Sequence, residues 1–206
     1  MSTKERLLVA AIPILAEKGY HQTTIAAICG EAEANIAAVN YHFGSKEGLY
    51  AEAWRRALRS SLERHPPDGG VSADAPPEER LRARLTAALR RAIDPESMEF
   101  AIMMHEMANS TGLLQDALKE DVGPLLGSMC AVVREIAGPA PTDMQINMCV
   151  ESLMAQLIHN TRRVRNNPVP VKLEAPTDVE SIAEHIVTFT LAGIRAIAAT
   201  AGGTSK

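Results

Sequence analysis

The chain has 206 residues, 46% of them hydrophobic, and a formal charge of −4. That leaves room for one large or two small buried cores and excludes a strongly basic nucleic-acid coat protein. Cys29, Cys130 and Cys149 form no CxxC pair and leave an odd thiol, which excludes a disulfide framework; no unbroken apolar run approaches the ~18 residues of a membrane span and no secretory h-region is evident, so the expectation is a cytoplasmic protein with no membrane partner.

In chain order, Leu7, Leu8, Ala11, Ile12, Leu15 and Ala16 recur at a spacing of three to four and predict a first helix that Gly19 stops. Pro13 lies inside that pattern, removes one intrahelical hydrogen bond and predicts a kink or a shifted start. Thr23 and Thr24 offer an N-cap to a short second helix with Ile25 and Ile28 facing inward. Glu31–Ala34 makes a turn without glycine, and a third short helix follows from Asn35. Gly44 breaks it, and Ser45 suits the N-cap of a long fourth helix entered through Lys46, Glu47 and Leu49. Two short helices joined by a tight turn, flanked by longer apolar supports, have the spacing of a helix-turn-helix. In that geometry the second short helix enters a DNA major groove by its N-terminal part while flanking groups hold phosphates. Residues 1–64 carry 8 Lys/Arg against 7 Asp/Glu and residues 65–206 carry 13 against 18, a tilt in the direction of an anion-binding N-terminal module.

The segment GYHQTTIAAI, and then NYHFGSKEGLY just after a short helix, resemble the DNA-binding domain of the TetR family of transcriptional regulators from about Thr3 to Arg64. The AAVNYHF version, with EFAIMMHEMANSTG, GPLLGSM and EHIVTFTLAGI further on, is similar to the CecR-like branch of that family. The resemblance implies that Thr24, at a helix N-terminus, binds a phosphate. It implies that Asn35, Ala37, Ala38 and Asn40 face base edges, an alanine methyl suiting thymine and asparagine suiting adenine. Tyr41, His42 and Lys46 would hold the DNA backbone. The family's usual phosphate-binding tyrosine, two positions before His42, is Asn40 here, so Asn40 and Tyr41 are both candidates for that contact.

After Arg64, HPPDGGVSADAPP is rich in helix breakers and predicts a loop over residues 65–77. Pro77-Glu78-Glu79 starts a helix whose stripe is Leu81, Leu85, Ala88, Leu89 and Ala92, ended by Asp94-Pro95. Met98, Phe100, Met103, Met104 and Met107 then gather flexible side chains that suit a reshapable apolar pocket, with His105 and Glu106 as a polar handle. His105-Glu106 begins like the zinc motif HExxH, but Asn109 stands at its fifth position. Gly123-Pro124 predicts a division into a short and a longer helix. In the last two helices Ile146, Val150, Leu153 and Leu157, then Ile182, Ile186, Phe189 and Gly193, form stripes. The TetR resemblance implies that these stripes make a four-helix dimer interface. Arg162, Arg163 and Arg165 read as a solvated helix end before a loop.

The expected fold is all-α: a three-helix helix-turn-helix domain (residues 1–64, the motif at about 24–43, the linking helix from 45), a loop at 65–77, a ligand-binding and dimerisation domain at 78–200 and a flexible tail at 201–206. The expected function is a homodimeric repressor of a palindromic, double-stranded operator, switched by a small apolar or amphipathic effector. Neither cofactor, metal ligand set nor catalytic residue is expected: Gly44-Ser45-Lys46 lacks the earlier glycine of a phosphate loop, and no GxSxG elbow occurs. A small all-helical enzyme using His105 and Glu106, and a helical adaptor that has lost DNA binding, are the alternatives.

Overall fold

The computed structural model describes residues 1–165 and 174–203, and the regular structure of the described residues is entirely helical. The elements are α1 (Thr3–Gln22), α2 (Ile25–Glu31), α3 (Ile36–Phe43), α4 (Lys46–Arg64), α5 (Pro77–Ile93), α6 (Met98–Ala108), α7 (Gln115–Ala117), α8 (Gly123–Ala137), α9 (Asp143–Val164) and α10 (Val179–Gly203). Most of the loop expected before α10 (residues 166–173) and the end of the expected tail (residues 204–206) lie outside the described residues. The rest of that tail is helical, because α10 continues to Gly203.

The chain divides into two compact units that interleave along the sequence. The first joins residues 1–64 to 94–123, so α6 and α7 pack with the N-terminal helices. Its core is Leu7, Leu15, Ile28, Val39, Leu49, Trp54 and Ile102, all nearly inaccessible to solvent. Burying one such side chain stabilises the fold by about 1.5–3 kcal/mol relative to leaving it exposed. α1 is the hub, touching α2, α3, α4 and α6.

α1 starts under a Ser2 cap, whose side chain accepts from the Glu5 amide at 3.2 Å. It runs through Pro13 with helical dihedrals and turns only at Gly19, at φ 70° and ψ 178°. The expected proline kink is therefore absent. Pro13 and Val9, whose carbonyl loses its usual donor, both lie on the exposed face, where water can replace that donor. At Pro124 the helix likewise does not break. A π-turn over Leu118–Val122 carries α7 into α8, with the Gly123 amide donating to the Leu118 carbonyl.

The second unit holds residues 65–93 and the described residues from Pro124 onward. α10 packs on α5 and α9, and α5 also packs on α9. Leu81, Leu85 and Leu89 of α5, with Leu153, Ile186 and Val187, are among its buried apolar side chains. A capping box at Thr142 and Gln145 sets the start of α9.

Candidate nucleic-acid interface

Each short helix of the N-terminal pair is started by its own side-chain cap. Thr24 Oγ1 accepts from the Ala27 amide at 3.1 Å at the head of α2, and Asn35 Oδ1 accepts from the Ala37 amide at 2.9 Å at the head of α3. Thr23 turns the other way, buried, and donates to the Gly19 carbonyl at 2.7 Å. The turn between the helices includes Glu33 at φ 48°, a left-handed conformation carried without glycine. Gly44, at φ 76°, closes α3, and Ser45 Oγ accepts from the Gly48 amide at 3.2 Å to start α4.

The periodicity of α3 then sorts the residues expected on DNA. Asn35, Ala37, Asn40 and Tyr41 share the exposed side, Tyr41 at 84% exposure. Ala38 does not join them: it is half-buried against the core of the first unit, beside the fully buried Val39. His42 is also half-buried, its ring edge-on to Tyr41 at 4.9 Å and to Phe43 at 6.2 Å. The residue that sequence reading missed is Ile36, 52% exposed on the same side as Asn40. Its signal was its i, i+4 relation to Asn40, masked by the habit of assigning isoleucine to cores.

Lys46 was expected on the DNA backbone. Its ammonium instead donates to the Tyr20 carbonyl at 2.8 Å and lies 4.1 Å from the centre of the Tyr20 ring. Tyr20 Oη in turn donates to Glu47 at 2.7 Å. Hydrogen bonds from Ser45 first, and then Tyr20, hold the Glu47 carboxyl down at about 2. Burial first, and then Glu47, push the Tyr20 phenol up to about 12. This knot fixes the start of α4 against the end of α1, and so fixes the C-terminal end of α3.

The pocket residues expected on α6 do not converge. Phe100 is buried, Met98, Met103, Met104 and His105 are half-buried, and Met107 is exposed. A cavity of about 240 Å³ in the first unit takes His105 and Glu106 from α6 and none of its methionines. The buried Glu106 carboxylate accepts from Tyr50 Oη at 3.0 Å and from the Thr111 and Gly112 amides at 2.8 and 3.0 Å. Burial and this neighbouring carboxylate push the Tyr50 phenol well above its ordinary range. Among the described residues no group of three or more His, Cys, Asp or Glu could hold a metal ion.

The expected dimer stripe needs correction. Ile146, Val150, Leu153, Leu157, Ile182 and Ile186 are each 5% exposed or less within one chain, so they form its internal core. The most apolar stripe of each helix went inward, where burial is most complete. Of the eight residues only Phe189, at 63% exposure, and Gly193 face outward. They line a groove of about 250 Å³ with Met148, Ser152, Gln156 and Ile197. α10 is also apolar enough to cross a membrane by length and composition, with a mean hydropathy of 1.4 over its best window. Glu180, Glu184 and Arg195, scattered along it, interrupt its apolar runs.

Two family models match the chain. Residues 7–53 match the bacterial regulatory proteins of the tetR family, and residues 77–194 match the C-terminal domain of the HTH-type transcriptional dual regulator CecR. No curated protein matches. Among solved structures, a TetR-like transcriptional regulator from Rhodococcus sp. RHA1 is 18% identical, with 93% of this chain and 95% of that one covered at a TM-score of 0.69. AibR, solved with isovaleryl coenzyme A and operator DNA, is 20% identical over 91% of this chain and 97% of its own, at 0.64. The fatty acid degradation regulator FadR from Bacillus halodurans is 14% identical over 92% and 98%, at 0.68. At such identities the likeness carries the fold, and the two family models, which between them span the helix-turn-helix and the region from α5 into α10, place this chain in the TetR family of transcriptional regulators, with a CecR-type C-terminal domain.

Proposed function

We propose that the chain is a homodimeric, ligand-responsive repressor that reads a palindromic operator with α3. The supporting observation is the exposed side of that helix. Ile36, Ala37, Asn40 and Tyr41 project from a helix capped at Asn35 and stopped at Gly44, on a core that buries Val39 beneath them. Asn40 suits an adenine edge, Ala37 and Ile36 suit thymine methyls, and Tyr41 suits a phosphate or sugar. Thr24 and the free amides at the head of α2 hold a second phosphate, and His42 acts from its half-buried position through Tyr41. Lys46 contributes chiefly by setting the α1–α4 geometry.

Residues 1–64 are the reader, and residues 78–200 carry dimerisation and effector binding. The second copy covers the groove at Phe189 and Gly193, which explains why α10 is apolar on a side that its own chain leaves open. Two readers spaced about one helical turn apart fit a palindrome. An apolar or amphipathic effector favours a different spacing, a coupling of about 1–3 kcal/mol between sites. The test is binding to the DNA upstream of the chain's own gene at two salt concentrations, with random DNA as control. Selective, salt-sensitive binding that Tyr41→Ala and Asn40→Ala weaken by about 1–3 kcal/mol each is expected. Binding no better than to random DNA, there and after selection from a random pool, would leave the adaptor reading.

A further inference from the structure

The cavity of about 240 Å³ at the end of α1 has walls from three elements of the first unit: Lys18 to Gln22 of α1, Tyr50 of α4, and His105, Glu106 and Asn109 at the end of α6. Its one carboxylate is already saturated. Glu106 accepts from Tyr50, from the Thr111 hydroxyl and from the Thr111 and Gly112 amides, so it has no acceptor capacity left for a guest. The wall side chains without a hydrogen bond or ion pair among the described residues are Lys18, His21, Gln22, His105 and Asn109. Every one of these can donate a hydrogen bond, Lys18 as an ammonium, while the amides of Gln22 and Asn109 and the two imidazoles can also accept one. A space whose carboxylate is fully hydrogen-bonded and whose unused side chains include an ammonium and four further donors can hold an anion with several oxygens.

We propose that this cavity binds a small oxyanion, carboxylate or phosphate. Its volume is below the roughly 300–1,000 Å³ of pockets for drug-sized ligands, which limits the guest to a compact metabolite acid. A guest held by both Lys18 and Asn109 bridges α1 and the C-cap of α6. It does so beside the Lys46–Tyr20–Glu47 knot that sets the end of the reading helix. Occupancy therefore enters the energetics of DNA binding through α1 and α4. This coupling rests on the regulator reading above, but binding of the anion does not.

The test is isothermal titration of the full chain with inorganic phosphate and, separately, with citrate, at constant ionic strength set by sodium chloride. Saturable binding of either anion at one per chain is expected, and which anion binds distinguishes phosphate from carboxylate. Lys18→Ala and Asn109→Ala, both at exposed positions, should each weaken it about tenfold or more, the scale of a hydrogen bond to a charged group. Tyr41→Ala should leave it unchanged. Absence of saturable binding for both anions overturns the proposal, as does binding indifferent to Lys18 and Asn109. Loss of binding in Tyr41→Ala would move the anion to the DNA-facing surface and overturn it too. A chain that binds DNA but no anion loses only this site, and one that binds the anion but no DNA loses only the regulator reading.

Discussion

Replacing Gly19 by alanine probes the joint between α1 and α6 directly. At φ 70° and ψ 178° this position lies in a region that is essentially reserved for glycine, and forcing a side chain there costs of order 1–3 kcal/mol. A Cβ at Gly19 would also stand 3.1 Å from His105 Cγ and Nδ1, so the imidazole must give way. Crowding of this kind costs about 1–3 kcal/mol in a packed setting, and the half-buried His105 places it at the lower end. Together Gly19→Ala should cost about 3 kcal/mol, a fall in Tm of roughly 6–12 °C for a chain of this size. Gly44→Ala is the control: φ is 76°, yet a Cβ there meets nothing within 4 Å. It should show the backbone cost alone, so Gly19→Ala should exceed it by about 1 kcal/mol. The assay is thermal unfolding at one fixed chain concentration, because any self-association makes Tm depend on concentration. Adding His105→Ala should remove the excess and leave the backbone cost, giving a coupling between the two sites. If Gly19→Ala unfolds with the parent chain, or if its penalty is the same with and without His105, the reasoning from this contact fails.

Three further outcomes follow from other contacts. Lys46→Ala should destabilise the chain by about 1–2 kcal/mol, through loss of the Tyr20 carbonyl contact and the ring beneath the ammonium. It should leave the salt slope of DNA binding within a fraction of a unit; a slope reduced by about one would assign Lys46 to a phosphate instead. The raised Tyr20 phenol stays protonated in the fold up to about 12, whereas in the unfolded chain it ionises near 10. Its contribution is thus fully present below about pH 10 and is lost as pH rises through about 12. The denaturation midpoint of Tyr20→Phe should fall less steeply than that of the parent over this window, and parallel curves would refute the assignment. On the homodimer proposed above, Phe189→Arg should shift sedimentation from dimer to monomer without loss of helicity; a dimer that survives it would put the interface elsewhere.

Local chemistry is what the sequence by itself determined. The stop at Gly19, the caps at Thr24 and Ser45, the break at Gly44 and the end of α5 before Asp94-Pro95 depend on groups within four residues of one another. Such interactions are written in the order of side chains, and the helix-turn-helix follows from their spacing. The tertiary structure decided which stripe of each helix is covered, and by what. A hydrophobic period names a face and leaves its partner open. Hence the stripes of α9 and α10 read as a dimer interface when the chain itself buries all of them but Phe189 and Gly193, and Ala38, read as a base contact, is half-buried while Ile36 is exposed. Pairings distant in sequence were equally invisible: Tyr50 with Glu106, Gly19 with His105 and Lys46 with the Tyr20 carbonyl each join residues that no local pattern relates. They arise because α6 returns to pack on α1 and α4. That return places a saturated carboxylate and a ring of unused donors around one cavity.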